Sequence, residues 1–342
     1  MQSTDTAVLI LAAGRGTRMK SEKPKVLHPL MGRPLIEHVI NACLYLEPER
    51  LVVVTGFKAE DVELGVSAFI EELSGKRRPP KPGFARQAEQ LGTGHAVSMA
   101  REALADFSGQ LIIMSGDVPL ISPNTLDGFL KAHLNLKADL SVLTVALEEP
   151  AAYGRVIRDE AGWLERIVEY RDASDAERNI NEINSGLYIA DSKALFQSIE
   201  NLKADNAQQE YYLTDVVADF RSRGLSAAAV EIPANYAFEV QGINDRFELA
   251  QVQDFLRSRI NESWMRAGVT MLDQNSVYIE GKVRLAADVT LWPGVILTGR
   301  TNIGAGAEVG PYCRLHDCLV PAGHSVPGYQ NFIERDFSLD VD

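Results

Sequence analysis

Leu11-Ala12-Ala13-Gly14-Arg15-Gly16-Thr17-Arg18-Met19, with Pro24-Lys25 close behind, joins flexible glycines to a run of cations. Glycine lets a backbone turn tightly and come close to a ligand, so successive N–H groups can aim at phosphate oxygens. Arg15, Arg18, Lys20, Lys23 and Lys25 bring positive charge against Glu22 alone, in a protein of formal net charge −13. A basic loop in an acidic chain suits capture of a small, highly charged anion. A nucleic-acid surface would instead show a broad basic face. A dinucleotide fingerprint would need a third glycine at Met19 and an immediate helix, and a Walker loop would need Gly-Lys-Ser/Thr where Arg18-Met19-Lys20 stands. Pro24 and Pro29 keep the segment after Met19 irregular, because each removes a backbone donor and restricts its neighbour.

Asp117 is the second reactive candidate. It follows the apolar run Leu111 to Met114 through Ser115-Gly116, which places a carboxylate at the carboxyl end of a strand, where open α/β sheets bind ligands. One carboxylate together with substrate phosphates is a common way to hold Mg²⁺. A second glycine-rich turn runs Gln87-Ala88-Glu89-Gln90-Leu91-Gly92-Thr93-Gly94-His95-Ala96. Gln87 and Thr93 offer donors and acceptors suited to the edge of a base. His95 reads as a packed or helix-starting residue rather than a catalyst. None of the six histidines sits in metal-ligand spacing, and no nucleophile elbow is present.

The elements that must position these residues alternate from residue 7 to about 240, the pattern of an α/β domain with a mostly parallel sheet. Strands are predicted over Ala7–Ala13, Leu51–Thr55, Leu111–Met114, Leu140–Leu147, Gly154–Ile157, Leu164–Glu169 and Leu187–Ile189. Leu35, Ile36, Val39, Ile40 and Leu44 repeat at helical spacing, and a second helix is expected near Lys58 to Leu73. Gly75 to Gly83 reads as a basic, proline-rich surface loop. A long amphipathic helix is predicted from about Asn244 to Met265, with Phe247, Leu249, Val252, Phe255, Leu256 and Ile260 as its apolar positions. Beyond it Val277, Val283, Val289 and Val295 recur every six residues, and Ile303 and Val309 continue the beat slightly out of phase. Such hexapeptide repeats build a left-handed parallel β-helix, here of roughly three coils at about 18 residues each. Domains are therefore expected at 1–243, a linker helix at 244–266, and a short β-helix with its tail at 267–342.

The blocks Leu11 to Lys25, Gln87 to Ala96, Gly116-Asp117-Val118-Pro119-Leu120 and Tyr153-Gly154-Arg155 continue in order with Ile167-Val168-Glu169 and Glu182-Ile183-Asn184-Ser185-Gly186. Glu210 to Asp215 and Gly242-Ile243-Asn244 complete the series. Across residues 7 to 250 the chain resembles the bacterial N-acetylglucosamine-1-phosphate uridylyltransferases. That resemblance implies a Rossmann-like nucleotidyltransferase domain that takes UTP and N-acetylglucosamine 1-phosphate and needs Mg²⁺. Leu11, Ala12, Ala13, Gly14, Gln87, Gly92 and Thr93 would hold the uridine, with Gln87 and Gly92 reading the uracil. Arg18 and Lys25 would contact the triphosphate, and Arg18, Lys25 and Asp117 would carry catalysis. Asp117 and Asn244 would be the protein ligands of the metal. Ser115, Gly116, Gly154, Glu169, Asn184 and Asn244 would line the sugar side. Two departures from the family pattern are Ser115, where an aromatic is usual, and the long stretch 75–83. A related enzyme using another sugar 1-phosphate or dTTP is the alternative.

Full-length relatives carry a longer β-helix that acetylates glucosamine 1-phosphate, and its later coils have no counterpart here, so uridylyl transfer without acetyl transfer is expected. Stacked coils present flat faces, which predicts a homo-oligomer, a trimer. Apolar content of 46% and charged content of 24% are those of a soluble globular protein. No apolar run approaches a membrane span, Met1-Gln2-Ser3-Thr4-Asp5 is no secretory leader, and three cysteines without paired spacing suit a reducing cytoplasm.

Overall fold

The computed structural model describes residues 5–75 and 79–339. Contacts divide the chain into two compact units. One holds the residues up to His28 and Leu35–Asp245, and the other holds Pro29–Pro34 and the chain from Arg246 onward.

The first unit is built on nine strands, β1 Thr6–Ala12, β2 Arg50–Thr55, β3 Pro82–Arg86, β4 Gln110–Ser115, β5 Leu140–Ala146, β6 Arg155–Arg158, β7 Leu164–Val168, β8 Glu182–Asp191 and β9 Ala227–Ile232. Their order is β9-β5-β8-β4-β1-β2-β3, with β6 and β7 extending from β8. Strands β3, β2, β1 and β4 are mutually parallel, as are β5 and β9, while β8 runs against β4, β5 and β6. The sheet is therefore parallel on the side of the glycine loop and antiparallel around β8.

Near-continuous apolar runs make the central strands, because both faces of the sheet are covered. Ala7, Leu9, Leu111 and Ile113 face one core with helices Thr93–Met99, Ser192–Asn201 and Val216–Ser222. Val8, Ile10, Ile112 and Met114 face the other with helices Leu35–Cys43, Ala59–Ser74 and Pro123–Leu136. The stretch read as a loop from Gly75 to Gly83 joins the sheet at Pro82, and its residues 76–78 lie outside the described ones. As an edge strand, β3 tolerates a proline at its first position.

β8 is ten residues long, although only Leu187–Ile189 reads as strand in the sequence. Its register against β5 shifts between Asn184 and Tyr188. The Ser185 hydroxyl donates to the Leu143 carbonyl at 2.7 Å and accepts from the Leu187 N–H at 3.2 Å, so polar residues typical of a turn satisfy a bulge instead.

Helix Pro123–Leu136 buries His133, which lies 2.8 Å from both the Ser141 hydroxyl and the Gln110 side-chain carbonyl. Nε2–H donates to Gln110, so Nδ1 accepts from Ser141. Burial lowers the imidazole pKa from 6.5 to about 4. Between those values the unfolded chain binds a proton that the folded chain refuses, so stability present above pH 6.5 is lost as pH falls toward 4. Urea unfolding at pH 7.5 and 4.5 is expected to show up to about 3 kcal/mol of this loss in the wild type, and little of it in His133→Asn.

The second unit is a left-handed parallel β-helix of three short-stranded sheets. Tyr278 sits over Ile296 and Ile296 over Arg314, eighteen residues per coil. Val277, Val283, Val289 and Val295 are fully buried, and so are Thr301, Ala307 and Cys313. The six-residue beat thus continues unbroken, with a threonine and an alanine at positions that a search for large aliphatics passes over. The slip comes later, where Asn302 pairs with Leu319 and the coil is one residue shorter. Strand pairing continues through Asn331–Ile333, which the sequence reading assigned to a tail. Phe337 closes that end, 3% exposed and edge-on to Phe332 at 5.0 Å.

Helix Arg246–Arg266 precedes the coils, and of its six predicted apolar positions only Val252 is buried, with Phe247 71% exposed. It meets the coils through Ile260, the last of those six, together with Asn261 and Trp264, and the Asn261 amide donates to the carbonyls of Gln274 and Val277. No helix among the described residues is long and apolar enough to cross a membrane.

Candidate active site

The carboxyl ends of β1, β3 and β4 open into one cavity of about 430 Å³. Leu11, Ala13 and Gly14 line it from β1, Gln87 from the end of β3, and Ser115 and Asp117 from β4. Because β8 runs the other way, its amino-terminal end reaches the same edge, and the strand adds Asn184, Gly186 and Tyr188. Gly92, Thr93, Glu169 and Lys25 line it too, whereas the predicted Arg18 and Asn244 lie beside it and are not part of its lining. Ala12 does not join them. Strand alternation turns it to the opposite face, buried with Val8 and Ile10. Gly116 and Gly154 also lie behind the wall; Gly116 backs Val26, and Gly154 takes the Asn184 N–H on its carbonyl at 2.9 Å.

At one end stands a cluster of opposite charges. Lys25 is ion-paired with Asp117, and its Nζ also donates to Asn244 Oδ1 at 3.4 Å. Arg18 donates to the same Asn244 oxygen at 2.8 Å. Gly16 adopts φ +64°, and a Cβ there would lie 2.6 Å from the Lys25 Cβ, so glycine is needed to let Lys25 pass. Arg15 leaves this cluster and stacks over Phe57 at 5.1 Å. The Asp117 carboxylate and the Asn244 amide oxygen converge on one ammonium. Both are hard oxygen donors, and the described residues contain no group of three or more His, Cys, Asp or Glu able to hold a metal. Two oxygens completed by phosphates and water are a donor set that fits Mg²⁺.

The far end of the cavity is polar, lined by Asn184 and by the carboxyl groups of Glu169 and Glu210. Asn184 is held at both ends, donating to the Tyr188 hydroxyl at 2.9 Å and accepting from the Gly186 N–H at 2.9 Å. Glu169 accepts from the Thr214 hydroxyl at 3.3 Å. Burial raises the Glu169 pKa, with the charges of Asp215, Asp172 and Glu210 adding to the rise. Beneath this end Arg155 is fully buried and donates to the carbonyls of Pro150, Ala151, Tyr153 and Arg178. It ties together the segments on either side of β6 and β7.

Several lining residues carried no assigned role in the sequence. Gln90 donates to the Ala13 carbonyl at 2.9 Å, and Tyr188, Leu213 and Thr214 arrive from segments with no glycine or charge pattern of their own. Gly92 and Gly94 are fixed against residues 210–213. Tyr211 N–H donates to the Leu91 carbonyl at 2.8 Å, Gly94 N–H to the Tyr211 carbonyl at 2.7 Å, and Leu213 N–H to the Thr93 hydroxyl at 3.0 Å.

The MobA-like NTP transferase domain family matches residues 8–212. The bifunctional protein GlmU of Geotalea uraniireducens is 44% identical over 320 residues, which cover 94% of this chain and 67% of that protein. The bifunctional protein GlmU of Thermus thermophilus is 43% identical over 320 residues, with the same coverage. This chain thus spans about two thirds of the length of these relatives. Among solved structures, a UDP-glucose pyrophosphorylase complexed with UDP-glucose matches with a TM-score of 0.60 at 18% identity, over 75% of this chain and 99% of that one. At that identity the likeness shows the fold alone.

Proposed function

The chain belongs to the family of the bifunctional GlmU proteins, built on an NTP transferase domain, and from that membership we propose that it transfers uridylyl from UTP to N-acetylglucosamine 1-phosphate. The observation that carries the proposal is the two-ended cavity: Lys25 and Asp117 at one end, with Asn244 and Arg18 bonded alongside, and Glu169 and Asn184 at the other. One end suits phosphates, and the other suits the hydroxyl and acetamido groups of an amino-sugar.

The phosphate of the sugar is already an anionic nucleophile, so no protein base is required. Its oxygen bonds to the α-phosphorus of UTP, the bond from that phosphorus to the β-bridging oxygen breaks, and pyrophosphate leaves with the electron pair. The barrier is charge repulsion and misalignment, which positioning and preorganised charge lower. Arg18 and Lys25 supply positive charge, the former with forked geometry. Mg²⁺, held by Asp117 and Asn244, would neutralise charge on the phosphates. Leu11, Ala13, Gly14, Gln87, Gly92 and Thr93 would cradle the uridine, and Ser115 borders both halves.

Glu169 accepts sugar hydroxyls more strongly when ionised. Its raised pKa means that kcat/KM for the sugar phosphate should fall as pH drops into the mildly acidic range, before kcat/KM for UTP does. Glu169→Gln should flatten that difference while raising the sugar-phosphate KM at pH 7.5.

The reading extends to a transferase without acetyl-transfer activity. His316 is engaged by Thr298 at 3.0 Å and Asp317 at 3.1 Å, and His324 packs on Phe337. Three buried, unpaired cysteines suit a reducing compartment. The decisive assay follows pyrophosphate release from protein, Mg²⁺ and a panel of nucleoside triphosphates and sugar 1-phosphates, with and without EDTA, and monitors acetyl-CoA in parallel. UTP with N-acetylglucosamine 1-phosphate should exceed every other pair. A clear preference for dTTP or another sugar, or full activity in EDTA, would overturn the proposal.

A further inference from the structure

We infer that His95 is a positioning residue for base recognition, which fixes the Gln87 amide so that an acceptor faces the bound base. The inference rests on the uridylyl-transfer reading and assigns a role to a residue outside the phosphate and sugar sets.

Gln87 Nε2 lies 3.0 Å from the Gly92 carbonyl oxygen and 3.0 Å from His95 Nδ1. A carbonyl only accepts, so the amide atom facing Gly92 is the NH₂ group and not the oxygen. One of its hydrogens goes to Gly92. The other goes to His95 Nδ1, which must therefore carry a lone pair, and the imidazole proton sits on Nε2. With both hydrogens engaged, Gln87 has only Oε1 left to offer the cavity that it lines. The residue is 4% exposed, so bulk water cannot easily re-pair its amide.

His95 is itself held in place. It sits in the first turn of helix Thr93–Met99, whose start is bonded to Tyr211, and its carbonyl takes the Ser98 hydroxyl at 2.7 Å. The backbone that carries the imidazole is thus fixed, and the Tyr211 ring flanks the imidazole with centroids 6.4 Å apart.

The chemistry of the base gives this lock a purpose. Uracil carries N3–H, a donor that matches a fixed acceptor, whereas cytosine has a lone pair on the same ring atom. An acceptor clamped at Gln87 therefore attracts one base and repels the other. If the amide could rotate freely it would answer either base, and discrimination would fall. A polar site that rejects the wrong partner by leaving groups unpaired discriminates more strongly than apolar fit.

The test compares H95F, H95A and H95N in the full chain, using UTP and CTP with N-acetylglucosamine 1-phosphate. Asn places an acceptor oxygen near the position of imidazole Nδ1, whereas Phe and Ala do not. H95F and H95A should raise the UTP KM about tenfold and shrink the UTP-over-CTP ratio of kcat/KM by about tenfold. The sugar-phosphate KM should stay within twofold. H95N should recover most of both losses. Binding of UTP in the presence of Mg²⁺, read by calorimetry, reports the same effect without turnover, and H95A serves if H95F fails to fold. Unchanged UTP KM and base preference in H95F and H95A would overturn the inference, as would an H95N as impaired as H95F. Wild-type protein that releases no pyrophosphate from UTP would instead sink the functional reading, a result that no variant is needed to see.

Discussion

Asp117→Ala is expected to slow pyrophosphate release at least a hundredfold, and Lys25→Ala by a similar factor, with the far-UV circular dichroism of both unchanged. Asp117 is 9% exposed and sits at the end of β4, where the backbone is already fixed by the Gly116 N–H to the Leu11 carbonyl at 2.9 Å and the Ile243 N–H to the Asp117 carbonyl at 3.0 Å. Its side chain can therefore be removed without unthreading the loop. What disappears is a preorganised charge facing the phosphates, and deletion of one such group costs on the order of 3 kcal/mol in the transition state. Because Lys25 and Asp117 are ion-paired, the double variant should lose much less than the product of the two single losses. Wild-type turnover in either single variant would remove these residues from the chemistry.

Gly92→Ala should be nearly as damaging by another route. Gly92 adopts φ +107°, ψ 175°, a conformation essentially confined to glycine. A Cβ there would lie 2.6 Å from the Tyr211 carbonyl oxygen and 2.9 Å from its nitrogen. Both are backbone atoms tied to Leu91 and Gly94, so neither can swing away as a flexible side chain would. The substitution must prise residues 91–94 from Tyr211 and displace the carbonyl that anchors Gln87. We expect kcat/KM for UTP to fall at least fiftyfold and the melting temperature to drop by several degrees, whereas Gly128→Ala, in helix Pro123–Leu136 with nothing near its Cβ and away from the cavity, should be mild. Thermal melts and steady-state kinetics on the pair would check this.

How legible these features were depends on where their signal lies. β1, β2 and β4 are apolar runs buried on both faces, and such runs announce themselves. The glycines and cations from Gly14 to Lys25 and the carboxylate after β4 are equally local. By contrast, the first half of β8 hides behind Asn-Ser-Gly because its hydrogen bonds run across the sheet. Ala12 looks like its neighbours, and only the alternation of a strand turns it away from the cavity. Helix Arg246–Arg266 meets the coils through Ile260, which its apolar spacing selects, and through Asn261 and Trp264, which it does not. Thr214 and Tyr188 line the site through tertiary folding, and His95 acts through the amide of another residue. His95 and Thr214 stand in blocks that the sequence does mark, but what each of them touches is set by the fold.

The ammonium of Lys25, wedged against the oxygens of Asp117 and Asn244, makes the resting protein its own counter-ion. A bare divalent ion would have to evict a resident positive charge before it could settle. A nucleotide gives that charge somewhere better to go, so metal and triphosphate should load together, and neither should titrate strongly into the protein by itself.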